Sequence, residues 1–268
     1  MDVNENTFKE VTLLITHYNR SRSLERLLKS FKDLGFEFGG IVVSDDCSKP
    51  EHLDYIKALH NQYDFKLLTP PKNGGLGNNI NKGQDAVTTP YTLYVQEDFD
   101  PKPGFGEHLK DALGFMDTDK GLDIVRFYAY FKYPYTKPYG KGFSEMVFHL
   151  NPLYTNHIKF YVYSDHPHLR RSTFLQKFGR YAENINMDQI EYNMALSFIK
   201  HKGRGLFYDK FTELFDQKNS SNEPSTAVHR ANWRAQKNPL VLALRAVYVK
   251  VKLLKCTMDV AMGKTKNG

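Results

Sequence analysis

The sequence predicts an α/β fold with a mostly parallel central sheet flanked by helices, followed by a C-terminal helical extension. Three observations predict it. Apolar, β-branched runs alternate with amphipathic segments four times in about the first 95 residues, the rhythm of βαβ units around a parallel sheet. Three of those runs end in polar clusters, Thr16-His17, Asp45-Asp46 and Glu97-Asp98, and ligands of such sheets sit beyond the carboxyl ends of the strands. Residues 239–262 then repeat apolar and basic side chains at helical spacing.

The elements follow in order. VTLLIT (11–16) is a buried strand by composition. A polar break, His17 to Arg20, precedes a helix that Ser23 is placed to cap, with Leu24, Leu27, Leu28 and Phe31 on its apolar face. Gly39-Gly40 punctuates, and Ile41 to Val43 is the second strand. Glu51 to His60 is a helix with Leu53, Ile56 and Leu59 inward; Phe65 to Leu68 is a short third strand. KNGGLGNNINKGQDA is a Gly/Asn loop entering a helix, and Tyr91 to Val95 is the fourth strand. The aromatic stretch 123–139 reads as core and edge strand, and 217–226 (QKNSSNEPST) as a breaker-rich flexible loop. The expected division is a domain over 1–215, with a loop and basic amphipathic helix over 216–268.

Composition excludes several classes. At 268 residues, 41% hydrophobic and 25% charged, the chain can bury an ordinary globular core. Its two cysteines, Cys47 and Cys256, lie far apart and make neither a disulfide framework nor a thiolate metal site. The polar N-terminus predicts no signal peptide, and no uncharged apolar run of ~18 residues occurs. A cytoplasmic location follows as the expectation. From His229 onward nine Lys and Arg face Asp259 alone, a net +8 against +7 for the whole chain. The body is therefore near neutral, which argues against a nucleic-acid partner.

YVQEDFD (94–100) carries the chemistry. Three carboxylates in four residues at a strand's end repel one another unless something positive joins them. Hard divalent cations take oxygen ligands, and Mg²⁺ takes one or two carboxylates plus substrate phosphates. The alternative is a solvated acidic loop before Pro101. The glycines at 74, 75 and 77 complete neither a dinucleotide fingerprint nor a P-loop.

Taken together, ITHYNR (15–20), IVVSDDCS (41–48), KNGGLGNNINKG (72–83), VQEDFDPKPGF (95–105) and MDQIEYNMALSFIKHKG (187–203) resemble, in order and spacing, a family 2 glycosyltransferase of the GT-A (Rossmann-like) fold over residues 11 to about 205. The resemblance implies transfer of a sugar from a nucleotide-sugar donor, most simply a UDP-sugar, to an acceptor hydroxyl on a glycan or lipid-linked oligosaccharide, with inversion and with Mg²⁺ or Mn²⁺. It makes Asp46 the residue that accepts from the nucleotide base, framed by Thr16, and places Asn78 and Lys82 along the nucleotide wall. It aligns Gln96 with the first aspartate of the usual DxD and Asp98 with the second. Asp98 is then the first metal ligand and Gln96 a ribose contact, while Asp98-Phe99-Asp100 is a shifted DxD that brings in Asp100. His229 and Arg230, past the loop, are candidates for the metal and the diphosphate. Asp188, one helical turn before Glu191 on the same face, is the expected catalytic base with Glu191 as second choice; Met187 replaces the family's usual Glu. Aromatic and polar residues at 161–171 make Asp165, His166 and His168 acceptor-side candidates. Gln96 and Met187 also admit a rival, a catalytically impaired glycan- or nucleotide-binding protein of the same fold. A sugar nucleotidyltransferase would want a Gly-rich basic loop after the first strand, and ITHYNR is not one.

The tail helix puts Val241, Leu244, Tyr248, Val251, Leu254 and Met258 along one side and Arg245, Lys252, Lys255 and Asp259 along another. A basic amphipathic helix of this kind lies in a membrane interface, here the inner face of the plasma membrane, or packs on the domain.

Overall fold

The computed structural model describes residues 6–151, 153–219, 223 and 238–263. In chain order the first half forms β1 (Thr7–His17), α1 (Ser21–Asp33), β2 (Glu37–Asp45), α2 (Pro50–Leu59), β3 (Lys66–Leu68), α3 (Gly75–Asp85), β4 (Tyr91–Gln96), β5 (Phe99–Pro101), α4 (Phe105–Thr118) and β6 (Ile124–Arg126). The second half adds β7 (Thr136–Gly140), β8 (Phe143–Met146), a 3₁₀ turn (His157–Phe160), β9 (His168–Arg171), α5 (Phe174–Phe178), α6 (Met187–Lys200), β10 (Gly205–Tyr208), β11 (Phe215–Gln217) and α7 (Pro239–Ala261).

Nine strands make one sheet in the order β3-β2-β1-β4-β9-β6-β10-β8-β7. The first four run parallel. β9 lies antiparallel between β4 and β6, β10 is parallel to β6, and β8 and β7 close the edge antiparallel. Register pairs His17 with Asp45 and Thr16 with Gln96, so the polar ends of β1, β2 and β4 fall in one line. Both faces of the parallel strands are buried, which is why they read as continuous apolar runs. Leu13, Ile15, Val43 and Val95 pack with the Leu24, Leu27, Leu28 and Phe31 face of α1. Leu14, Val42 and Tyr94 pack on the other side with Ile80 of α3 and Ile190 and Met194 of α6.

Two local expectations are corrected. Ser23 does not cap α1: the helix starts at Ser21 after Arg20, and the Ser23 N–H and hydroxyl donate instead to Glu223, at 2.8 and 2.7 Å. Gly39-Gly40 does not interrupt the second strand, because β2 runs from Glu37 straight through it. A Cβ on Gly39 would lie 2.0 Å from the Lys9 carbonyl oxygen, so the glycine serves close approach of β1 rather than a turn.

Helix α7 packs through its polar side. Cys256 is buried, Tyr192 donates to Asp259 at 2.8 Å, and Lys252 donates to the Tyr161 hydroxyl. The apolar side faces outward: Leu244, Val247, Val251 and Leu254 are each about 60% exposed. Among the described residues no helix is long and apolar enough to cross a membrane.

Candidate functional site

The strand ends are stitched together before any ligand arrives. The His17 Nε2 accepts from the Arg20 N–H at 3.0 Å, which leaves Nδ1 to donate to Asp45 at 2.8 Å. The Asp45 carboxylate also accepts from the Ser48 N–H and hydroxyl. Burial pushes this carboxyl up, but the bonds from His17 and Ser48 outweigh it and leave it below its ordinary value. Asp45 is thereby a structural clasp between β1 and β2.

Asp46 faces the other way. Its two oxygens accept from the Gly74 and Gly75 N–H groups at 2.8 and 2.9 Å, pinning the glycine loop at the start of α3. Gly75 has φ +77°, a conformation that favours glycine. Burial raises the Asp46 carboxyl despite those two bonds. Lys82 reaches back from α3 to the Asp45 carbonyl and places its charge beside Asp46. Asn78 does not join Lys82; it donates to Glu183 at 2.9 Å. Thr16 is buried and bonded to the Tyr94 hydroxyl at 3.0 Å, and Gln96 pairs with Thr16 in register across β1 and β4.

The acidic end of β4 is held by basic groups of α1 and by β11. The Arg20 guanidinium lies 3.4 Å from Glu97 and 3.5 Å from Asp98, and donates to Asn219 at 2.8 Å. Burial and the neighbouring Asp98 nonetheless push Glu97 up to about 8, so both outweigh Arg20. Asp98 is 4% exposed. One of its oxygens, Oδ2, accepts from Gln217 Nε2 at 2.9 Å, while Oδ1 is buried with no hydrogen-bond partner. The Tyr130 hydroxyl donates to Gln217 Oε1 at 2.6 Å, which turns the amide so that its N–H₂ meets Asp98. Asp100 is occupied differently: Arg26 Nε meets both its oxygens at 3.0 and 2.9 Å, and Lys218 lies at 3.0 Å.

Beside Asp98 stands an aromatic patch. Tyr130 packs edge-on against His166 at 4.5 Å, with Tyr128 and Phe99 behind. Burial and the Arg126 guanidinium push His166 down to about 3, so its ring is neutral. Glu191, on α6, accepts from the Asp165 N–H at 2.8 Å and shares the electrostatic field of Arg126 and Tyr130. Asp188, one turn earlier, is exposed. Asp165 and His168 are buried, unlike the half-buried His166, and so line the interior rather than an acceptor surface. Burial and Glu191 push the Asp165 carboxyl up to about 8.

Among the described residues no group of three or more His, Cys, Asp or Glu is disposed to hold a metal ion. Asp98 and Asp100 are not gathered into one cluster, and His229 and Arg230 lie outside the described residues. The donor set that does fit a hard cation is the bare Oδ1 of Asp98, a single carboxylate oxygen of the kind Mg²⁺ uses when phosphates complete its shell. Sequence reasoning missed Gln217, Tyr130, Arg26 and Arg126. Gln217 and Tyr130 lie 119 and 32 positions from Asp98, and Gln217 reaches Asp98 through the pairing of β11 with β5, so no local motif signals them.

The matches to known proteins accord with this geometry. The model of glycosyl transferase family 2 matches residues 12–179. Among solved structures, S. aureus TarS 1-349 aligns with a TM-score of 0.56 at 19% identity, over 76% of this chain and 59% of that one. The same protein in complex with UDP-GlcNAc gives 0.57 at 17%, over 94% and 71%. The mannosyltransferase PcManGT from Pyrobaculum calidifontis, in complex with GDP-Man and Mn²⁺, gives 0.52 at 13%, over 73% and 53%. The chain thus spans 59% of the TarS 1-349 chain and 53% of PcManGT. No curated protein matches in sequence. The mostly parallel central sheet with helices on both faces is the fold shared with these structures, and the family model covers more than half of the sequence: the chain belongs to glycosyl transferase family 2.

Proposed function

We propose that this protein transfers a sugar from a UDP-sugar to a hydroxyl of a glycan or lipid-linked oligosaccharide, with inversion and with Mg²⁺ or Mn²⁺. The observation that carries the reading is the buried, unpartnered Oδ1 of Asp98 at the carboxyl end of β4. When bound, the metal would supply positive charge to the diphosphate and to the leaving nucleotide. Asp46 accepts from the base: each carboxylate oxygen has two lone-pair sites, so its bonds to Gly74 and Gly75 leave room for an imide N–H. Thr16 and Gln96 frame base and ribose, Lys82 forms the wall, which Asn78 joins only by releasing Glu183, and Arg230 together with Arg20 meets the diphosphate. Asp98 is the first metal ligand. Asp100 and His229 are further candidates, although Asp100 reaches a metal only by releasing Arg26 and Lys218.

Asp188 removes the proton of the acceptor hydroxyl as that oxygen bonds to the anomeric carbon and the bond to the diphosphate oxygen breaks. It lies exposed at the start of α6. Glu191, tied to the Asp165 N–H, shapes the wall behind it. The outward apolar side of α7, flanked by exposed Lys250, supports peripheral contact with an anionic membrane, where a lipid-linked acceptor resides.

Three measurements test this. Asp98→Ala should weaken UDP binding in the presence of Mn²⁺ by at least about tenfold by calorimetry, with the circular-dichroism spectrum unchanged; equal affinity removes Asp98 from the metal site. Asp188→Asn should leave UDP binding intact while lowering transfer on the order of 10²-fold. Near-normal transfer in that variant, with loss in Glu191→Gln, would assign the proton to Glu191. Val247→Asp with Val251→Asp should abolish sedimentation with phosphatidylserine vesicles at low salt. If the unaltered protein stays in the supernatant, α7 has no membrane role.

A further inference from the structure

The loop leaving β6 carries a second feature that the donor site does not use. A cleft of about 610 Å³ is lined by Lys132, Tyr133, Tyr135, His149, Tyr154 and Asn156 among others. Its rings are ordered. The His149 ring stacks on Tyr154 at 3.9 Å and 20°, and Tyr135 meets Tyr154 edge-on at 4.9 Å and 86°. Hydrogen bonds hold them there. The Tyr135 hydroxyl accepts from the Asn156 N–H at 3.1 Å. Lys159, 1% exposed, donates its ammonium to the Tyr154 carbonyl at 2.8 Å, and the Tyr133 hydroxyl donates to the Lys159 carbonyl at 2.8 Å. Among the described residues the Tyr154 hydroxyl, the His149 nitrogens and the Lys132 ammonium have no hydrogen-bond partner.

We propose that this cleft binds distal sugar units of a saccharide acceptor, whose reactive end lies at the Tyr130–His166 patch. The inference rests on the glycosyltransferase reading of the site. A pyranose ring offers an apolar face of C–H groups and a rim of hydroxyls. Fixed aromatic rings with free donors and acceptors at their edges match both, and their fixed geometry lowers the ordering cost of binding.

Continuity ties the cleft to the chemistry. The segment that carries Tyr133 and Tyr135 also carries Tyr130, which is bonded to the Gln217 that holds Asp98. Tyr133 lies in the field of Arg126, and Arg126 in the field of Glu191. The five steps from Tyr130 to Tyr135 span at most ~18 Å even if fully extended, the reach of a few sugar units. A longer acceptor would therefore touch both ends at once, and a monosaccharide only one.

Saturation-transfer NMR tests the proposal, with cellohexaose, maltohexaose and the β-1,4-linked hexamer of N-acetylglucosamine as probes. At least one hexamer should bind the full-length protein. Tyr154→Ala and, separately, His149→Ala should weaken it at least about tenfold, and Tyr154→Phe should keep most of it. UDP affinity with Mn²⁺ should be unchanged in all three variants, which also reports that they are folded. Absence of binding by every hexamer at millimolar concentration, or equal binding by both alanine variants, overturns the cleft. Hexamer binding in a protein that takes no UDP would instead leave the cleft standing and refute the donor site.

Discussion

The structure depends on how the acidic end of β4 is neutralised. Glu97, Asp98, Asp100 and Glu223 all converge on the first two turns of α1 and the residue before it. Arg20 faces Glu97 and Asp98, the Arg22 and Ser23 N–H groups take Glu223, and Arg26 takes Asp100. Backbone N–H groups at a helix start are otherwise unpaired and carry partial positive charge. The helix is therefore both the lid of one core face and the counter-charge of the site. Strand β11 completes the arrangement by pairing with β5, which delivers Gln217 and Lys218 to the same carboxylates and Asn219 to Arg20.

That neutralisation is uneven, and the unevenness is what makes a site. Asp100 has two cationic partners, Glu97 shares one with Asp98 and is pushed up to about 8 by burial and by Asp98, and Asp98 keeps one oxygen bare. A buried acceptor without a partner costs on the order of 1–3 kcal/mol. Folding alone does not recover that cost; a ligand that supplies positive charge does. The same logic separates Asp45 from Asp46. Asp45 is saturated by His17 and Ser48 and belongs to the scaffold, whereas Asp46 is held by backbone N–H groups of a loop and retains accepting capacity.

Much of the parallel half was legible because its signals are local. β1, β2 and β4 are apolar runs, α1 shows a clean helical stripe, and the polar residues at their ends fall in line as the topology requires. The family resemblance over 11–205 accords with the matched region 12–179. What could not be read depends on distant pairing. Ser23 looked like a cap because the sequence does not announce that Glu223 folds back onto it. Asn78 and Lys82 share a helical spacing but divide between Glu183 and Asp45, which packing alone decides. Asp165, His166 and His168 look equivalent in sequence, yet β9 turns His168 inward between Tyr94 and Tyr163 and leaves His166 beside Tyr130. The tail's amphipathicity was readable, but not that its polar side would take the domain and its apolar side the solvent.

The central claim is that the bare oxygen of Asp98 is where a divalent cation meets the chain. Anomalous diffraction at the manganese edge, from crystals grown with UDP and Mn²⁺, locates the ion directly. The account predicts a single peak within bonding distance of Asp98 Oδ1, with Asp100 still paired to Arg26. A peak held by Asp100 instead, or nucleotide bound at Asp46 with no manganese beside Asp98, would contradict it.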